Sequence, residues 1–304
     1  MRNRILITFL LLGIGQSLLI AAQRHSAIEL SVGGGWSTLG YKVQPNQEDV
    51  RGANIGSWGL QAHVGYAFFF TPNVGLGVGA NFSHYGADAT LSGTAKWENV
   101  TDMEGEAYTH LTIIHSLHDK QDIYLVEIPL TVYFLVPLSD DLSLNAEIGA
   151  KYALPILSDA SYYADIEHQG NYGIWGLNLY DVPGHGFYRE NDFHNTYSVA
   201  AKNQLSLFLK LGLSYEISTN IHLFGNIYGD YGLFNTLQNG EFELGFQNDR
   251  AGMEETHSFM PAYNGIITTN YISEKSHPIQ IGLELGLRFV FPHKKTYPCK
   301  CMLY

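Results

Sequence analysis

The side chains that could do chemistry in this 304-residue chain are carboxylates, amides, one imidazole and three cations: Glu29, Gln61, His63, Asn81, Glu127, Glu147, Lys151, Lys210, Glu216, Asp230, Glu284 and Arg288. Such groups can move protons, select ions or pair with one another. What they share is their setting. Each stands among apolar residues that recur at every second position. In IQIGLELGLRFVF, residues 279–291, Glu284 and Arg288 fall on one parity. Ile279, Ile281, Leu283, Leu285, Leu287, Phe289 and Phe291 fall on the other. A period of two is that of a β-strand, whose successive side chains point to opposite faces. Lone charges inside a narrow barrel are costly, so these groups are expected to pair and hydrogen-bond. Two outcomes are open: a salt-bridged plug that fills the lumen, or a gated conductance with the ion pairs as its gate.

Other constellations are weaker. His115 and His118 with Asp119 and Asp122 could ligate a metal, but the thirteen histidines scatter and form no HExxH. Ser83 and His84 are adjacent, and adjacent strand residues point apart, so they form no dyad. Gly75-Leu-Gly-Val-Gly79 lacks the spacing and the following helix of a dinucleotide site, and reads as packing. Cys299 and Cys301 are the only cysteines, too close together for an unstrained mutual bridge, and read as an inert tail. No enzyme, metal or cofactor is expected.

The elements that must position these groups repeat one pattern. Apolar alternation runs through residues 28–33, 58–70, 74–83, 122–138, 142–154, 204–217, 221–234 and 279–291. Helical periodicity never persists over such a length. Three connections are tight, at 71–73, 139–141 and 218–220, and built of turn formers. Four are long, roughly 41–56, 91–121, 158–203 and 234–277, and long alternates strictly with short. The expected fold is therefore all-β: an eight-stranded antiparallel up-and-down transmembrane β-barrel with short periplasmic turns and long extracellular loops. Both termini are expected in the periplasm. The aliphatic face looks into outer-membrane lipid, where an open sheet edge would go unsatisfied, and the polar face looks inward.

The soluble rival, a lipocalin-type barrel, would need glycine, serine and sparse charges as its wet face. Charged residues are only 15% of the chain, against the usual quarter. Aromatics near strand ends (Trp58, Phe68, Phe69, Phe70, Phe82, Tyr133, Phe134, Tyr215, Phe289 and Phe291) suit an interfacial girdle. The net charge of −12 argues against a nucleic-acid partner.

The first residues carry Arg2 and Arg4, an apolar run, then Ala21 and Ala22, the layout of a secretory signal peptide. The expected division is a signal peptide over 1–22, the barrel over 23–291 and a periplasmic tail over 292–304.

The strand DIYLVEIPL, residues 122–130, resembles the YLEIPL strand of the outer-membrane β-barrel family common in Bacteroidetes, with its PorT-like and OmpA/OmpX-like members. LGVGANFS, NAEIGAKY and GLELGLRFVF are also similar to that family, and the resemblance spans the expected mature chain. A valine is inserted into the motif, and the loops exceed those of minimal barrels. The resemblance implies that Phe289 and Phe291 form the terminal signal read by the barrel-assembly machinery. The chain departs by continuing past Phe291. It shows no peptidoglycan-binding domain, so a cell-wall tether is not implied.

The loops carry what functional signal there is. Residues 91–122 hold Lys96 and Lys120 against Glu98, Asp102, Glu104, Glu106, Asp119 and Asp122. Residues 170–188, GNYGIWGLNLYDVPGHGFY, are rich in aromatics and glycine and could stack on sugars or dock a protein. The expected role is structural, adhesive or surface-recognising. The alternative is a narrow channel or an accessory barrel of a transport or secretion system.

Overall fold

A computed structural model describes residues 25–40, 49–102, 104–198, 200–236 and 276–292. The expected signal peptide, the tail after residue 292 with Cys299 and Cys301, and most of the 234–277 connection lie outside the described residues. Among the described residues eleven strands run in chain order: β1 (His25–Thr38), β2 (Val50–Asn54), β3 (Ser57–Phe69), β4 (Val74–Thr101), β5 (Ala107–Pro137), β6 (Leu142–Tyr172), β7 (Leu177–Leu179), β8 (Arg189–Ser198), β9 (Gln204–Ser218), β10 (Ile221–Gly232) and β11 (Ile279–Pro292).

Eight of them close a ring, β1-β3-β4-β5-β6-β9-β10-β11 and back to β1, every pairing antiparallel. The seam runs in unbroken register from His25↔Pro292 to Thr38↔Ile279, which places both ends of the ring at the same rim. Tight turns hold that rim. At the first, the Thr71 hydroxyl accepts the N–H of Asn73 and of Val74.

The lipid-facing parity is plain within β11, where Leu283 and Leu285 are 66% and 64% exposed while Glu284 between them is 1% exposed. Ile28, Leu30, Val32, Leu76, Val78, Ile128, Leu130, Ile148, Leu209 and Leu211 extend the apolar belt around the ring. No described helix is long and apolar enough to cross a membrane.

Three strands are about twice as long as the rest. β4, β5 and β6 have 28, 31 and 31 residues, against 12 to 15 in the other five ring strands. A bilayer needs only about 9–11 residues of tilted strand. The polarity of both faces inverts where they leave it. Below, Phe82, Val126 and Leu154 point outward and Ser83, Glu127 and Lys151 inward. Above, Asp88, Lys120 and Ser161 point outward, while Ala87, Leu91, Leu117, Ala160, Tyr162, Ala164 and Ile166 are buried. The change falls on one register row, His84–Tyr124–Leu157.

This corrects the expectation of loops at 91–121 and 158–203. Residues 102–106 are the whole connection between β4 and β5, and β6 continues to Tyr172. The stretches were unreadable as lipid-facing strands because their outer face meets water. β2, β7 and β8 flank this tall sheet, β2 on β4, the other two on β6. Two expected girdle aromatics are also corrected. Phe69 and Tyr133 point inward and are buried, because both stand on the lumen parity.

Candidate functional site

The interior is built in three layers. At the turn rim, Ala27, Ala67, Phe69 and Tyr133 form an apolar floor, with His25 stacked on Phe69 at 4.4 Å between ring centroids.

Above the floor lies the ionic layer. Arg288 binds Glu29, and its guanidinium also reaches Glu147 at 3.6 Å and Asn145 Oδ1 at 3.3 Å. The Tyr133 hydroxyl donates to the other oxygen of Glu29 at 2.7 Å. The same guanidinium lies over the rings of Phe69, Tyr133 and Phe224 at 5.4–5.8 Å, a favourable place for a desolvated cation. Lys210 sits 2.8 Å from Glu284 and 3.9 Å from Glu147, and Ser31 and Asn226 complete the shell of Glu284. Lys151 binds Asp230 at 2.9 Å, Glu127 at 3.4 Å and Gln61 Oε1 at 3.4 Å. Glu127 also accepts Asn81 Nδ2, Ser83 Oγ and, at 3.5 Å, Tyr85 OH, while His63 Nδ1 meets Asn81 Oδ1 at 2.8 Å. The three cations are thus shared among five carboxylates, and each cation has at least two charged partners. The glycines opposite are part of the fit: a Cβ at Gly149 would come within 2.1 Å of the Leu130 carbonyl and 2.7 Å of the Phe208 ring.

The third layer is the largely apolar interior of the tall sheet, in which Tyr85, Ile123, Leu125 and Ala153 begin a cluster that continues to Ile166, with Asp119 and Gln121 buried on the same parity. The ionic layer is therefore capped by apolar groups on both sides.

Of the side chains singled out from the sequence, Glu29, Gln61, Asn81, Glu127, Glu147, Lys151, Lys210, Asp230, Glu284 and Arg288 are all buried here and His63 is half-buried. Glu216 is half-buried near the turn rim, across from His222, and joins none of these pairs. Phe289 is half-buried and Phe291 exposed on β11. Sequence reading passed over Ser31, Tyr85, Tyr133, Asn145 and Gln280, although each occupies the lumen parity of its strand. His115, His118, Asp119 and Asp122 do not converge. His115 meets Glu167 at 3.1 Å, Asp122 meets His84 at 2.7 Å, Asp119 is buried and His118 is exposed. Among the described residues, no three or more histidines, cysteines or carboxylates are grouped to hold a metal. Ser83 turns inward to Glu127 and His84 outward to Asp122, as strand alternation dictates.

The far end of the tall sheet is a second organised region. Tyr108, Tyr172 and Phe187 pack together, with Tyr108 and Tyr172 stacked at 5.1 Å. Asp102 holds the β4–β5 hairpin by accepting the N–H of Glu104 and Glu106, and it accepts the Tyr172 hydroxyl at 3.0 Å. Beneath lie His110 and His168, ring nitrogens 3.3 Å apart, with the Thr112 hydroxyl 3.3 Å from His168. Burial pushes these imidazoles down to about 3 and about 4, and proximity to His168 adds to the effect at His110. The pair is 58 residues apart in sequence, and only strand register joins it. Trp175 stacks on Tyr172 at 5.6 Å from outside, and Ile174, Trp175, Leu177 and Tyr180 are exposed.

A closed antiparallel ring with an aliphatic belt and a polar interior defines a membrane-spanning β-barrel. Residues 21–238 match the family model for the outer membrane protein beta-barrel domain, and the chain belongs to that family. It is an outer-membrane protein. Among solved structures it is similar to the outer membrane protein OprG of Pseudomonas aeruginosa, at 10% identity and a TM-score of 0.36 over 90% of this chain and 100% of that one. A major outer membrane protein of Thermus thermophilus is similar at 14% identity and 0.33, covering 88% and 99%. Neisserial surface protein A is similar at 10% and 0.33, covering 88% and 96%. No residue role is carried over from them. Curated proteins show no match.

Proposed function

We propose that the protein is a non-enzymatic outer-membrane barrel with a closed lumen, which presents the tall β4–β6 sheet and its apolar tip outside the cell for adhesion or recognition. The observation that supports this is the capped interior. Every described cation in the lumen is engaged by carboxylates, with an aromatic floor below and an apolar layer above. An eight-stranded barrel has room only for its own side chains. In this reading both ends of the ring face the periplasm, Phe289 and Phe291 serve the assembly machinery, and the resemblance of the YLVEIPL strand supports a kinship with PorT-like and OmpX-like barrels. The capped interior speaks against the alternative of a narrow channel.

Planar-bilayer recordings test the lumen, and purified barrel is expected to give no single-channel steps. Regular ion-selective steps would overturn the closed reading. Cells displaying the wild type are compared with cells carrying Ile174, Trp175, Leu177 and Tyr180 each replaced by serine. Binding to immobilised glycans and extracellular proteins is expected to be lost with the apolar tip. Equal retention by both would remove the recognition role.

A further inference from the structure

The barrel wall is not uniform. β3 ends at Ser57 and the chain turns away at Gly56, whose φ of +73° suits glycine. Between there and Asn54, where β2 takes up the pairing with β4 opposite Ala89, a short break leaves β1 and β4 facing each other without a strand between them. Ser37 bridges the gap, its hydroxyl donating to the Gly86 carbonyl and accepting the Gly86 N–H, both at 2.8 Å. Beside the bridge is a notch of about 400 Å³ lined by Gly35, Trp36, Gly56, Ser57, Trp58 and Asp88. That volume lies within the roughly 300–1,000 Å³ of small-ligand sites.

Three features of the notch go beyond an ordinary aromatic girdle. Trp36 and Trp58 are direct cross-strand neighbours, 46% and 74% exposed. The Trp36 indole is held in place, donating to the Ile55 carbonyl at 3.3 Å and lying over Gly56, where a Cβ would come within 2.4 Å of Nε1. Asp88 is half-buried, and its Oδ1 is enclosed with no hydrogen-bond partner among the described residues. A buried acceptor left without a donor is costly, and a bound donor would relieve it.

The level of the notch and its charge narrow the occupant. Leu60, two residues from Trp58, pairs with His84 in the row where the outer face changes from apolar to polar. An occupant anchored there touches lipid below and water above. Asp88 repels phosphate. Lys120 stands opposite it on β5 and the Ser57 hydroxyl lies beside it, so the carboxylate has a cation and one neutral donor nearby, while its enclosed Oδ1 still lacks a hydrogen bond. Two indole faces beside an acceptor suit a sugar ring, apolar on its faces and lined with hydroxyls on its edge.

We propose that this notch holds the sugar headgroup of a glycolipid of the surrounding leaflet, stacked on Trp58 beside the fixed Trp36, with a hydroxyl donating to Asp88. Calling that leaflet the outer one rests on the orientation proposed above.

The test uses the full barrel in a polyoxyethylene detergent, with Trp97→Phe and Trp175→Phe so that Trp36 and Trp58 remain of the four tryptophans. An alkyl glucoside is titrated below its micelle concentration. The chain-matched alkyl polyoxyethylene and methyl glucoside run in parallel. A saturable fluorescence change with the alkyl glucoside alone is expected, weakened at least tenfold by Asp88→Leu. That variant keeps both indoles and is checked for folding by its heat-dependent gel mobility. An equal response to the alkyl polyoxyethylene shows detergent partition and overturns the proposal. So does an undiminished response in Asp88→Leu. Saturation by methyl glucoside at the same concentration replaces the membrane source with a soluble sugar and overturns it too. Protease access to the sheet tip on whole cells reports orientation separately, so failure there is distinguishable from failure of the site.

Discussion

Arg288 on the last strand and Glu29 on the first are direct cross-strand partners, and their side chains are ion-paired inside the ring. The seam that closes the barrel by backbone hydrogen bonds is thereby closed by charge as well. Arg288 reaches on to Glu147 and Asn145 on β6, across the lumen, so one guanidinium ties the seam to the opposite wall.

Replacing Arg288 by alanine leaves Glu29 and Glu147 buried without their cation. Breaking a buried pair from one side costs about 3–5 kcal/mol. Heat-dependent gel mobility should show a lower unfolding temperature, and Glu29→Gln added to Arg288→Ala should restore part of the loss. A hydrated lumen predicts otherwise: Arg288→Ala would then be nearly silent in stability and would change ion selectivity.

On the outer face the sign of the effect is set by lipid. Leu285→Arg places a charge on the exposed mid-strand belt and should cost about 2–4 kcal/mol in a folding titration into bilayers. Ser206→Thr, on the buried parity, should lose far less. Equal tolerance on the two faces would contradict the assignment of inside and outside.

Acid should loosen the tip of the tall sheet. With folded-state values of about 3 for His110 and about 4 for His168, the unfolded tip takes up protons first as pH falls below about 6.5. The contribution of the pair is complete above that pH and is lost progressively toward pH 3. Near-ultraviolet circular dichroism of the Tyr108–Tyr172–Phe187 cluster should weaken over this window and recover on neutralisation. The double variant His110→Phe, His168→Phe should show no such dependence.

Asp102 closes the β4–β5 hairpin through two backbone N–H groups and ties it to β6 through the Tyr172 hydroxyl. Asp102→Ala should therefore expose residues 102–106 to protease several-fold faster, with the heat-dependent mobility of the barrel unchanged. Unaltered cleavage would show that the aromatic stack alone holds the tip.

Strand number, ring class and the inward parity of the polar groups were legible in the sequence because lipid imposes one rule. Every residue of one parity must be apolar, so Leu283 and Leu285 announce their face without any partner being known. The same rule concealed the upper halves of β4, β5 and β6. Once clear of lipid the outer face meets water, and Lys96, Lys120 and Asp159 read as loop composition although they stand on strands. Which carboxylate takes which cation was also hidden. Lys151 meets Glu127 diagonally on the neighbouring β5 and Asp230 on β10, two strands away, and those meetings depend on register and stagger, which no local pattern encodes. Phe69 and Tyr133 were misread for a related reason: an aromatic near a strand end suits a girdle or a floor equally, and only its parity in the closed ring decides between them. His110 and His168, and the notch between Trp36, Trp58 and Asp88, join residues distant in the chain. Only the tertiary structure brings them together, because register and the early end of β3 are properties of the assembled wall.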